Sequence, residues 1–216
     1  MPVDLDALLA PAHTALVTVE LQHGAVGEGS PLPALVDVVR ERGVLANVGR
    51  LAKAARVAGA RVVHCTAAFR PDGAGVGANC RLLALTQRRG GGGGGLVAAG
   101  SKGADVMPEL GPEDGDLVLG RLHGVDPFTG TELDAILRNL GVRTVVATGV
   151  SVNVALLGLV VGAVGTGYQV VLPTDGVAGV PVDYADAVLA NTLSMLATLT
   201  TCDEVAAAWE RQEGGS

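Results

Sequence analysis

The chain predicts a three-layer α/β/α fold on a mainly parallel, roughly six-stranded sheet, and three observations lead there. Hydrophobic residues fill 49% of the 216 positions but aromatics only 2%, so Ala, Val and Leu must build the core, as suits buried parallel strands under close-packed helices. Apolar runs with β-branched residues alternate with longer stretches of helical period. The connections between them are mostly short, which implies right-handed crossovers and helices on both faces of the sheet.

Taken in order, TALVTVEL (14–21) is the first strand. LPALVDVVRERGVLANVGRLAKAARVAG (32–59) reads as one helix with apolar spacing that ends at Gly59, and ARVVHCT (60–66) as the second strand. Residues 67–103 break the alternation: they hold RPDGAGVGANC, a short helix RLLALTQ and the tract RRGGGGGG (88–95). Six glycines offer no side chains to pack and carry maximal backbone entropy, which predicts a mobile loop. The tract follows no strand and lacks a GK[ST] ending, so it is not a phosphate loop. DLVLGRL (116–122), RTVVATGV (143–150) and YQVVLP (168–173) are three further strands, with helices over 129–141 and 152–167 between them. A short strand near Thr200–Cys202 and a terminal helix, DEVAAAWERQ, complete a single domain spanning 1–216.

Composition also excludes function classes. A formal charge of −7 without any Lys/Arg cluster argues against nucleic acid as a partner. No apolar run reaches the roughly 20 residues of a membrane span, and MPVDLDALLAPAH has no basic leader, so a cytoplasmic protein with no membrane partner is expected. Cys65, Cys80 and Cys202 are odd in number and widely spaced, which fits reduced thiols. The helix 152–167 is apolar all round, and GLVVGAV in particular asks for cover by the sheet, a neighbouring helix or a second copy, so a homo-oligomer is expected.

Ligands of open parallel sheets bind beyond the carboxyl ends of the strands. That rule selects Glu20 and Gln22 after the first strand, His64 and Thr66 at the second, Arg121 and His123 at the third, and Ser151 to Ala155 at the fourth. His64 and His123 read as satisfied polar side chains, and neither a metal nor a cofactor is expected. Cys65, inside a buried strand, reads as inert packing. Arg121 is suited to holding an anion or pairing with Glu20, but its guanidinium does not exchange protons as an amine does.

ALVTVELQ (15–22), GDLVLGRL (115–122), PFTGTELDAILRNLGVRTVVATGVSVNVA (127–155) and GYQVVLPTDGVAG (167–179) together resemble the isochorismatase-like, or cysteine hydrolase, superfamily. The resemblance runs from about Thr14 to Thr201. It implies an aspartate at the end of the first strand, a lysine on or just after the third, a cysteine opening the helix after the GV turn, and a cis peptide between Val150 and Ser151. Here Glu20 stands at the aspartate position and Ala155 at the cysteine position. The lysine position falls on Arg121 counting from GD and on Leu122 counting back from FTGT.

A methyl group cannot attack a carbonyl carbon, so acyl-enzyme chemistry is excluded at Ala155. The resemblance also implies that catalysis can survive loss of the cysteine, since enzymes of the superfamily that resemble true isochorismatases have a small residue there and cleave a vinyl ether by protonating carbon with the acidic residue. Two readings therefore stand. The first is a hydrolase on a small-molecule substrate, with Glu20 and Arg121 as catalytic residues and Gln22, His123, Phe128, Ser151, Asn153 and Ala155 lining the substrate. The second is a catalytically silent relative that binds a small molecule or serves as an assembly subunit. A closed apolar cleft at Glu20 would favour the first; filling by Leu122, Phe128 or His123 would favour the second.

Overall fold

The computed structural model describes residues 4–89 and 94–213. After a one-turn helix α1 (Leu5–Leu8), strand β1 (Thr14–Val19) leads through α2 (His23–Val26), α3 (Pro33–Glu41) and α4 (Val44–Ala58) to β2 (Arg61–Ala67). Helix α5 (Arg81–Arg89) precedes β3 (Leu117–Arg121), then α6 (Leu133–Asn139), β4 (Thr144–Val150), α7 (Ala155–Gly165), β5 (Gln169–Pro173), β6 (Val177–Ala178), α8 (Val182–Asn191), β7 (Thr198–Thr200) and α9 (Cys202–Glu213).

All strand pairs are parallel, in the order β3-β2-β1-β4-β5-β7, with β6 added beside β4. The sheet therefore has seven strands, one more than expected, because β6 is two residues long and carries no readable period. β1 and β4 are central, and every residue of both is buried, as their unbroken apolar and Thr runs require.

Alternate residues of β1 serve the two faces. Ala15, Val17 and Val19 meet α6, α7 and α8 through Leu133, Leu137, Leu156, Leu159 and Ala185. Leu16 packs with Leu51 and Ala55 of α4 and Val205, Ala208 and Trp209 of α9. The expected single helix 32–59 is broken: α3 ends at Glu41 and α4 starts at Val44, with Gly43 at φ 64° between them. The apolar period continues across the break, which is why the pattern alone reads through it.

Helix α7 begins three residues later than its pattern predicts, because Val152 and Val154 belong to the turn after β4. Of the glycine tract, residues 90–93 lie outside the described residues. Gly94 is buried and donates to the Pro71 carbonyl at 3.3 Å, and Gly95–Val97 forms a 3-10 turn, so this end of the tract is folded onto the 69–71 segment.

Candidate active site

Glu20, the residue after β1, is the only non-glycine with positive φ among the described residues, at 52°. That conformation costs an L-residue roughly 1–2 kcal/mol. The Glu20 N–H donates to the Cys65 carbonyl at 2.8 Å, which ties the turn to β2. Its Oε1 accepts a short hydrogen bond from Arg121 Nη2. Arg121 is the last residue of β3, registered opposite Ala67, and β2 lies between it and β1, so the pair spans the carboxyl ends of three strands.

The sequence left the choice between Arg121 and Leu122 open. The geometry puts the guanidinium on Glu20, while Leu122 is half exposed. Arg121 Nε reaches the Gly124 carbonyl at 3.4 Å, and Nη1 is buried without a partner. The Arg121 side chain is 7% exposed and that of Glu20 20%, so the carboxylate stands in front of the cation.

β4 arrives beside β1 with Val19 opposite Gly149. Gly149 has φ 109°, and a Cβ there would lie 2.2 Å from the Val19 carbonyl oxygen, so only glycine lets the strands approach so closely at this end. The Val150–Ser151 peptide is cis, as expected. Ser151 Oγ donates to Asn153 Oδ1 at 2.6 Å, and Asn153 Nδ2 donates to the Val180 carbonyl at 3.1 Å. Ala155 then opens α7, 2% exposed.

The other expected ligand contacts are used elsewhere. Gln22 is fully buried: its Nε2 donates to the Ala67 and Gly103 carbonyls at 2.9 Å each, and its Oε1 accepts from the Ala67 N–H at 2.6 Å. It fastens the end of β1 to β2 and to the loop at 103, which leaves no end for a substrate. Phe128 packs on Gly162 of α7 and meets the Tyr168 ring edge-on at 6.2 Å between centroids. His123 is exposed and lies over Gly130. The contacts found for Phe128 and His123 are thus away from Glu20.

His64 sits one layer below. It is fully buried, with Nδ1 2.8 Å from Thr18 Oγ1 and Nε2 3.4 Å from Asp116 Oδ2. Asp116 is held on both oxygens by Arg56, at 3.1 and 2.7 Å. Burial pushes the His64 pKa down, with the Asp116 charge opposing. Burial likewise raises Asp116, but the Arg56 hydrogen bonds and the Glu113 amide outweigh it and hold the carboxyl below its usual range. Sequence reasoning did not find this network, since Arg56, His64 and Asp116 lie on separate elements and share no motif.

Cys65 is also sealed in. Burial pushes its thiol up to about 12 despite the nearby Arg121 charge, which removes it as a nucleophile at neutral pH. Among the described residues no three His, Cys, Asp or Glu side chains gather as a metal-ligand set. No helix of the described residues is long and apolar enough to cross a membrane. Two surface cavities of about 600 and 250 Å³, one lined by Leu51, Ala54 and Ala206 and the other by Val36, Val39 and Ala46, lie away from Glu20.

Residues 14–204 match the Isochorismatase domain family. A ureidoacrylate amidohydrolase, RutB of Serratia proteamaculans, is 32% identical over 155 residues, 68% of this chain and 62% of that protein; the chain thus spans less than two thirds of that relative's length. An isochorismatase family protein from Desulfovibrio vulgaris superposes with a TM-score of 0.73 at 31% identity, over 90% of this chain and 98% of that one. A cysteine hydrolase from Pseudomonas syringae pv. phaseolicola superposes with a TM-score of 0.79 over 98% and 96%, at 23% identity, a likeness of fold.

Proposed function

Because the chain belongs to the isochorismatase family, we propose that it is a hydrolase acting on a small metabolite by acid/base catalysis at Glu20, without a cysteine nucleophile. In this reading Glu20 takes the place of the family's aspartate, Arg121 that of its lysine, and Ala155 that of its cysteine. The methyl of Ala155 leaves the first turn of α7 free of any attacking group, so the reaction proceeds by proton movement at Glu20.

The observation that carries the reading is Glu20 itself. It alone among the described non-glycine residues is held at positive φ, and it sits at the carboxyl end of a central strand with its carboxyl presented on a buried guanidinium. Outliers of this kind persist where the surroundings enforce them and cluster at functional sites. Because Arg121 donates to Oε1, the other oxygen is the one available to exchange a proton with water or substrate. Ser151 and Asn153 stand at the turn into α7, after the carboxyl end of the neighbouring strand β4, and in this reading they offer polar groups to the substrate. The homo-oligomer suggested by the apolar composition of α7 is checked by light scattering in solution.

The test is Glu20→Gln, assayed on small amides, ureido compounds and vinyl ethers such as isochorismate, the classes that the relatives and the resemblance bring forward. Turnover should fall by roughly 10²-fold or more at matched stability while affinity changes less. Undiminished turnover removes Glu20 from the mechanism. A silent binding protein, the second reading, would instead show no turnover in the wild type and changed affinity in the variant.

A further inference from the structure

β3 is the outermost strand of the sheet, paired with β2 on one side and with no strand on the other among the described residues. The Arg121 carbonyl accepts from the Ala68 N–H at 2.9 Å, so Leu117, Leu119 and Arg121 aim their backbone groups at β2, while Val118 and Gly120 aim theirs outward. No hydrogen bond among the described residues meets those outward groups. Proteins shield such an edge with Lys, Pro, a bulge or a covering helix. Here it reads LVLG (117–120), without a charge, and Val118 is 55% exposed, as is Leu122 at 50% one residue past the strand. Charge is also sorted along this edge. The segment 109–116 before β3 presents Glu109, Glu113 and Asp114 to solvent and contains no base. Helix α5, whose Leu83 shares a cluster with Ala67 and Val125 at the carboxyl end, carries exposed Arg81 and Arg88 and contains no acid.

We infer that the free edge of β3 is an interface for a second copy of this chain, the two β3 strands pairing antiparallel about a two-fold axis at Gly120. In that register Val118 meets Leu122 of the partner subunit, and the contact is made twice, so the exposed apolar side chains of the edge cover each other. The outward N–H and C=O groups of Val118 and Gly120 find their partners in the same step. A two-fold axis reverses the second copy, so the acidic 109–116 segment of each comes beside the basic α5 of the other. A copy aligned parallel would set acid beside acid. The five-residue edge alone buries too little for a stable dimer, which needs about 1,000 Å², and the paired α5 and 109–116 surfaces, with Leu82 and Leu85 exposed on α5, add the remainder. This interface lies apart from α7 and braces the strand that carries Arg121.

Sedimentation of the full chain over about 1–100 µM tests this. The wild type should form dimers. Val118→Lys, at an exposed position, should weaken them at least about ten-fold by placing a charge on the edge, and Arg88→Glu should weaken them too. Adding Asp114→Lys to Arg88→Glu should restore the affinity, since acid and base have then changed places. Amide exchange at Gly120 and Leu122 should be slower in the wild type than in Val118→Lys. A chain that stays monomeric throughout, an assembly unchanged in folded Val118→Lys, or one unchanged in Arg88→Glu would each overturn the inference. So would an assembly that Val161→Lys on α7 breaks while Val118→Lys leaves it whole. Should Val118→Lys fail to fold, the Arg88→Glu variants decide, together with faster Gly120 exchange on dilution of the wild type.

Discussion

A methyl at 155 raises the question of whether adding a single sulfur there makes this chain an amidase. We expect that it does not: Ala155→Cys should show no measurable turnover of simple amides, since a thiolate needs a base and a mobile proton, and Arg121 supplies none. Amidase activity appearing in that one variant would count against the proposed roles. His64 makes a different prediction, on stability. Burial holds its pKa below the ordinary 6.5, so the unfolded chain binds the proton more readily than the folded one. The stability this represents is complete above about pH 6.5 and is lost as pH falls through the folded value. Urea unfolding between about pH 5 and 8 should therefore show stability declining on the acid side, with a shallower decline in His64→Gln; an identical slope in both proteins would refute the assignment.

Elements in this fold are positioned by contacts that hydrophobic period does not encode. Arg56 lies on α4, 15% exposed, and clasps Asp116 at the entrance of β3, so it joins a helix to an edge strand across the sheet. Removing it strands a carboxylate that is 3% exposed, and Arg56→Met should cost about 3 kcal/mol or more, read as a lower urea midpoint with unchanged slope. A cost near zero would mean that Asp116 finds water on its own. On the other face, α7 carries Gly162 against Phe128, where a Cβ would approach the ring to 2.7 Å. Gly162→Val should destabilise by about 1–3 kcal/mol through overpacking, although the strand and helix patterns around it stay intact. An unchanged melting temperature in that variant would show that the 126–128 segment shifts freely.

Across the whole molecule, closure of the α4–α9 layer depends on Trp209, the only tryptophan. It is fully buried, and its indole N–H donates to the Leu9 carbonyl at 3.0 Å, so the last helix holds the first segment of the chain. Trp209→Ala should cost about 3–5 kcal/mol. For a domain of this size the melting temperature would fall on the order of 10 °C, and a shift of only a degree or two would place the core elsewhere. The layered α/β class, six of the seven strands and the carboxyl-end location of Glu20, Arg121 and Ala155 were legible in the residues alone, because long apolar runs and strand-ending turns are local signals of burial and chain reversal. That Arg121 rather than Leu122 faces Glu20, that Gln22 is spent on the Ala67 and Gly103 backbone, and that Phe128 turns onto Gly162 was not legible there and follows from the packed fold. Each of these depends on which of several polar or apolar neighbours a side chain meets across the sheet, and residues far apart in the chain, such as Glu20 and Arg121 or Gln22 and Gly103, meet there only once strand order, register and the turn at Glu20 are set.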